Sequence, residues 1–328
     1  MHGIILPPVF MLQSPRMFLH GSKTIIAVIA IAAVVLGFIG FNSLQGNNAF
    51  RIPAAVSLSK GAGTPSGPPS APSPLAAAAA PAPAARPAAT PAAVPAAPTI
   101  GKYAVIIGID YDHYDFGAVH YADQDAGSVY RMLTQQKGFL PQNIRLLQNN
   151  QATHDNIMSA LSWLVTNPGI NANSEVVFFY SGHGLRNGAG AGLNIPGFPA
   201  ASALVPFDFY NYDYHKGDGL IWDGDLADKL SLIHPHLMWV SIDSCFAGGF
   251  IRPGIAGPNR IVTTSSQVDE LSNELPSAQR GVFTNFLVDQ GIDRGLPIEQ
   301  AFWGAFQQSQ AYHQDPQISD NYPQSGDL

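Results

Sequence analysis

Apolar positions in this chain cluster into short continuous runs separated by amphipathic stretches. KYAVIIGI (residues 102–109), EVVFFY (175–180) and LMWVSI (237–242) are apolar at nearly every position, as in strands whose sheet is covered on both faces. Residues 143–147 and 259–264 read as two further strands. Residues 123–137, 153–165, 222–233, 282–291 and 297–312 read as helices, with Thr153 as an N-cap and Trp222 as an apolar staple at its helix entry. Strands alternating with helices predict an α/β fold with a mostly parallel central sheet. The Gly- and Ala-rich stretch 184–202 reads as a long surface loop, of the kind that serves as a lid or lacks order. Trp163, Trp239 and Trp303 sit in apolar runs and read as core.

Upstream of residue 100 the pattern changes twice. TIIAVIAIAAVVLGFIGF (24–41) is 18 residues without a charge, about 27 Å of helix at 1.5 Å per residue, close to the thickness of a bilayer core. It reads as a transmembrane signal-anchor helix, with residues 1–23 as a leader. No small-residue cleavage site follows it closely. Arg16 and Lys23 precede it, which places the N-terminus in the cytoplasm and the bulk of the chain outside the membrane. Residues 42–99 follow as a linker. Within it, Pro and Ala fill 27 of the 38 positions from 61 to 98, a composition that forbids a long helix and cannot build a core, so the segment reads as a disordered, semi-rigid tether. Residues 100–328 carry most of the aromatics and form the remaining domain.

Charge and cysteine content narrow the function. Charged residues are 12% of the 328, with a net charge of −7, and a nucleic-acid protein would show a basic stripe instead. A single cysteine excludes an internal disulfide framework and a thiolate-rich metal site.

Two strand ends carry the candidate chemistry. The 175–180 strand runs out into Ser181-Gly182-His183-Gly184, and the 237–242 strand into Asp243-Ser244-Cys245-Phe246-Ala247-Gly248-Gly249. In open α/β sheets ligands bind beyond the carboxyl ends of the strands, so neighbouring strands would bring His183 and Cys245 to one cleft. A thiolate that attacks a carbonyl and an imidazole that protonates the leaving amine suit nucleophilic catalysis. The glycines allow backbone N–H groups to approach a substrate. The two residues lie 62 apart, comparable to the His-to-Cys separation of caspases.

FFYSGHG and SIDSCFAGG together resemble the catalytic core of the caspase-like cysteine peptidases, in their metacaspase branch. YAVIIGID, QDAGSVYRML, RIVTTSS and GVFTNFL extend the resemblance over residues 102–287. It implies a caspase/hemoglobinase-like α/β sandwich, with Cys245 as nucleophile, His183 as general acid/base, and an oxyanion hole from the N–H groups of Gly184 and Cys245. Asp-cutting caspases carry Gln two residues before the cysteine; this chain has Asp243 there, as metacaspases do. Asp125 falls at the other acidic pocket position, with Asp123 as its substitute, and Ser181 at a further pocket position. Two carboxylates favour a cationic side chain, so cleavage after Arg or Lys is expected.

The resemblance weakens at calcium. The family's aspartates correspond by spacing to Phe198, Tyr214 and Arg252, and the nearby acids (Asp208, Asp213, Asp218, Asp223, Asp225) match no calcium-loop pattern. Most of them read as loop solvation and helix capping, and no cofactor is expected, with calcium the one metal left open. His234-Pro235-His236 reads as a plain turn. The expectation is a monomeric, single-pass membrane-anchored cysteine endopeptidase acting on protein or peptide substrates, its domain outside the cytoplasm, with self-cleavage at Arg252, Arg260 or Arg280. The alternative is a tethered, non-catalytic caspase-like adaptor.

Overall fold

The computed structural model describes residues 100–111, 117–188 and 192–328. Of the two units into which the chain divides, Met1–Ala93 and Val94–Leu328, all of these lie in the second. The expected leader, membrane segment and linker lie outside the described residues. Among the described residues no helix is long and apolar enough to cross a membrane.

The elements follow in the order β1 (Lys102–Gly108), α1 (Ala122–Gln135), β2 (Ile144–Gln148), α2 (His154–Thr166), β3 (Glu175–Ser181), β4 (Gly184–Asn187), β5 (Ala201–Leu204), β6 (Ile221–Trp222), α3 (Asp223–Leu230), β7 (Leu237–Asp243), β8 (Arg260–Thr264), β9 (Glu274–Leu275), β10 (Arg280–Gly281), α4 (Val282–Thr284, continued by a π-helical turn at Asn285–Asp289), α5 (Ile298–Ser309) and β11 (Gln317–Asp320). Six strands make the main sheet in the order β11-β8-β7-β3-β1-β2. All neighbours are parallel except β11, which runs antiparallel on β8.

Successive strand residues point to opposite faces, and both faces are dry. Val105, Ile107, Phe178 and Val240 pack under α2 and α3, against Ile157, Leu161 and Leu226. Ala104, Ile106, Val177 and Trp239 pack on the other side with Val129, Met132, Phe283 and Phe302 from α1, α4 and α5. The uninterrupted apolar runs of β1, β3 and β7 are the sequence trace of this double coverage. Thr153 caps α2 as expected, its hydroxyl accepting from the Asn156 N–H at 3.3 Å.

Three expectations are corrected. Residues 184–202 are not a loop throughout: their ends form β4 and β5, an antiparallel hairpin extended by β6 into a second, three-stranded sheet. Asn187 is buried in it, donating to the carbonyls of Phe198 and Pro199 and accepting from the Ile195 N–H. Trp303 is 56% exposed, because the buried stripe of α5 is Ile298, Ala301, Phe302, Ala305 and Ser309 and Trp303 lies one step off it. Trp222 is itself the residue capping α3. The Asp225 carboxylate accepts its N–H at 3.0 Å, and its indole donates to the Gly217 carbonyl.

Candidate active site

Register places the site. Ser181 is the partner of Asp243 across β3 and β7. His183 and Cys245, each two residues further on, therefore leave the sheet side by side. One small cavity of roughly 50 Å³ is lined by Asp125, Ser181, His183, Asp243 and Cys245, together with Ser272 and Gly281. Five of the expected site residues thus meet in one place, contributed by α1, β3, β7 and the turns that follow them. Gly184 sits behind the cysteine. A Cβ on it would lie 2.0 Å from the Cys245 carbonyl oxygen, so only glycine lets β4 approach that closely.

The turn carrying the thiol is sharp. Phe246 adopts φ 59°, a left-handed conformation that costs a non-glycine residue about 1–3 kcal/mol and persists only when its surroundings hold it. They do so here. The Phe246 N–H donates to the Glu270 carbonyl at 2.7 Å, and its own carbonyl accepts from the Ser202 hydroxyl at 2.9 Å. Ser265 and Ser266 both donate to the Ser244 carbonyl. The Ser272 N–H donates to Cys245 Sγ at 3.4 Å. Burial pushes the Cys245 thiol up to about 11, against the pull of the Ser272 contact.

His183 is set by backbone. Its Nε2 lies 3.0 Å from the Gly117 carbonyl, and a carbonyl only accepts, so Nε2 carries the proton and Nδ1 is the basic nitrogen. The Tyr111 ring lies with its centroid 4.3 Å from that of the imidazole, tilted by 45°, and the Tyr180 hydroxyl donates to the His183 carbonyl at 2.7 Å. Burial lowers the imidazole's pKa.

The two acidic residues are deep. Asp125 is 1% and Asp243 4% exposed. Asp125 accepts from the Ser181 hydroxyl at 2.8 Å and from the Gly281 N–H at 3.0 Å. Asp243 accepts from the Ser272 hydroxyl (2.8 Å) and from the hydroxyl and N–H of Thr284 (2.7 and 3.0 Å). Burial, then the neighbouring Asp243 charge, holds the Asp125 carboxyl well above the usual range. Asp243 is raised by burial too, with its hydrogen bonds opposing. Asp123 does not share this pocket: its carboxylate faces the Asn149 amide.

Gly117, Tyr111, Ser272, Gly281 and Thr284 were not singled out from sequence. Backbone donors and acceptors leave no residue signature, and the segment 270–284 reaches the cavity through tertiary contacts to Cys245, Asp243 and Asp125.

Among the described residues no group of three or more His, Cys, Asp or Glu could hold a metal ion. Asp208 accepts the His154 N–H at the start of α2, Asp213 pairs with Lys216, and Asp225 caps α3. Asp223 lies in the first turn of α3, 5% exposed and ion-paired with Arg252. Arg260 is 4% exposed, its guanidinium donating to the carbonyls of Leu230, Ile233, Gly254 and Ile255, which removes the bond after it from the reach of any protease in the folded chain.

A cysteine and a histidine stand at the carboxyl ends of adjacent parallel strands, over a pocket of buried carboxylates, as the resemblance to the caspase-like cysteine peptidases implies. Comparison with known proteins agrees. The family model of the metacaspase, peptidase C14 domain, matches residues 102–252. Metacaspase-3 of Arabidopsis thaliana is 32% identical over 155 residues, 45% of this chain and 40% of its own length. Metacaspase-1 of the same plant is 30% identical over 158 residues, 45% and 39% of the two chains. The chain thus spans about two fifths of the length of these curated relatives. A solved protein of Geobacter sulfurreducens superposes on 67% of this chain and 92% of its own at a TM-score of 0.49 and 16% identity, a likeness too slight to argue from. Residues 102–252, a little under half of the chain, thus match the metacaspase C14 domain, which supports a caspase-like metacaspase family.

Proposed function

We propose that this protein is a membrane-anchored cysteine endopeptidase that cleaves polypeptides after Arg or Lys. The observation that carries the reading is the single cavity shared by His183, Cys245, Asp125 and Asp243. A cationic side chain would enter between the two carboxylates and release the proton that burial keeps there. Its scissile carbonyl would then lie over Cys245. The sulfur forms a bond to the carbonyl carbon while His183 Nδ1 takes the thiol proton. The carbonyl oxygen gains the negative charge, which the N–H groups of Gly184 and Cys245 would stabilise. Collapse breaks the C–N bond, and His183 returns the proton to the leaving amine. Water, deprotonated by the same imidazole, hydrolyses the thioester and restores the thiol.

The pocket is narrow because the β9–β10 hairpin lies over it, so substrate entry requires Gly281 to move off the carboxylates. No metal or other cofactor takes part in this scheme, and Arg252 supports that reading by standing where the family resemblance puts a calcium aspartate. Residues 24–41 anchor the chain in the cell membrane with the peptidase domain outside the cytoplasm, and the enzyme works as a monomer. Reporter peptides with Arg, Lys or Asp before the scissile bond, with and without calcium, test the reading. Cys245-dependent hydrolysis after Arg and Lys alone supports it; hydrolysis that survives Cys245→Ala, or that follows Asp, overturns it.

A further inference from the structure

The segment that leaves Cys245 returns to its own start. After the left-handed turn at Phe246 the chain makes a short 3₁₀ helix, Ala247–Phe250, and reaches Arg252. The Arg252 guanidinium pairs with Asp223 Oδ1 at the first turn of α3. The other oxygen, Oδ2, accepts the Ser202 N–H at 3.1 Å. The Ser202 hydroxyl in turn donates to the Phe246 carbonyl at 2.9 Å. Contacts therefore run from Arg252 through Asp223 and Ser202 back to the residue after the thiol, closing a ring around the cysteine turn.

Each link has a stated need. Asp223 is 5% exposed, and a buried carboxylate requires a cation or several donors. Arg252 supplies the charge from the segment that carries the cysteine. Ser202 commits its N–H and its hydroxyl to the ring, and Gly249 lies so close that a Cβ on it would be 2.1 Å from the Ser202 hydroxyl oxygen. A cavity of about 130 Å³ remains beside Ser202, Asp223 and Gly249.

We propose that Arg252, Asp223 and Ser202 are positioning residues that fix the Cys245 turn, with Arg252 acting as a built-in cation. This rests on the reading of Cys245 as nucleophile. None of the three lies among the residues that line the His183–Cys245 cavity, so their effect falls on the attack geometry rather than on substrate affinity.

The test uses the purified full chain and an Arg reporter peptide, with kcat and KM measured separately. Arg252→Gln and Ser202→Ala should each lower kcat about ten- to a hundredfold while KM stays within about twofold, the size of effect expected when a reacting atom is misplaced by an ångström. Arg252→Lys, which keeps the charge, should restore most of kcat. Melting curves identify any variant that has unfolded, and Ser202→Ala, which removes one hydroxyl, carries the test if Arg252→Gln does not fold. Wild-type kcat in a folded Arg252→Gln or Ser202→Ala chain, or a rise in KM alone, overturns the proposal. Hydrolysis that survives Cys245→Ala overturns the nucleophile reading instead, so the two failures are distinguishable.

Discussion

The main-chain N–H of Ser272 donates to the sulfur of Cys245 at 3.4 Å, tying the nucleophile candidate to a segment 27 residues further along the chain. The contact favours the thiolate, yet burial outweighs it and sets the thiol at about 11, while burial also lowers His183. At neutral pH the resting pair is accordingly thiol and neutral imidazole. Alkylation of Cys245 by iodoacetamide should therefore quicken about tenfold per pH unit from pH 6 to 9, following the thiolate fraction. A plateau already reached below pH 7 would reveal a thiolate–imidazolium pair and contradict this account.

Asp125 gives a stability prediction with a definite sign. Its folded-state pKa is raised, chiefly by burial, so the folded chain keeps a proton that the unfolded chain gives up in the ordinary carboxylate range. Above that range the native state holds more protons than the unfolded one, and stability falls as pH rises. Asp125→Asn removes this liability. It should melt progressively higher than wild type as pH is raised from 4 to 8 while losing Arg and Lys hydrolysis. Equal melting curves across that range would show that the carboxyl is not held protonated.

Gly281 has φ −58° and ψ 142°, a conformation open to any residue, so its importance is one of space. A Cβ there would lie 2.4 Å from Asp243 Oδ2 and 2.9 Å from Asp125 Oδ2. Gly281→Ala should fold and still lose at least about tenfold in kcat/KM for Arg and Lys reporters, the effect falling on the pocket rather than on Cys245 alkylation. Unchanged kcat/KM would place the cationic side chain elsewhere.

Arg260 tests the frame under the site. Its guanidinium satisfies four carbonyls near the end of α3 and the loop before β8. Unsatisfied buried acceptors cost about 1–3 kcal/mol each, so Arg260→Met should destabilise the domain by roughly 3 kcal/mol or more. Urea unfolding followed by tryptophan fluorescence measures it, and a loss under about 1 kcal/mol would mean that water replaces the guanidinium.

The buried strands were legible because both sheet faces are covered, which forces unbroken apolar runs at β1, β3 and β7. His183, Cys245, Ser181, Asp125 and Asp243 were legible as well, since their side chains occupy motif positions at strand and helix ends. The β4–β5–β6 sheet and the β9–β10 hairpin were not. Their strands are two to four residues long, too short for a period to register, and tertiary pairing alone defines them. Gly117 escaped notice because it acts through its carbonyl. Trp303 was misplaced through reading an apolar run where the helical period already pointed it outward.

The most direct measurement is hydrolysis by the purified chain of paired reporters that differ only in Arg or Asp before the scissile bond, with Cys245→Ala alongside. The account predicts cleavage after Arg, none after Asp, and complete loss in Cys245→Ala. Cleavage after Asp, or activity that persists without the thiol, would contradict it.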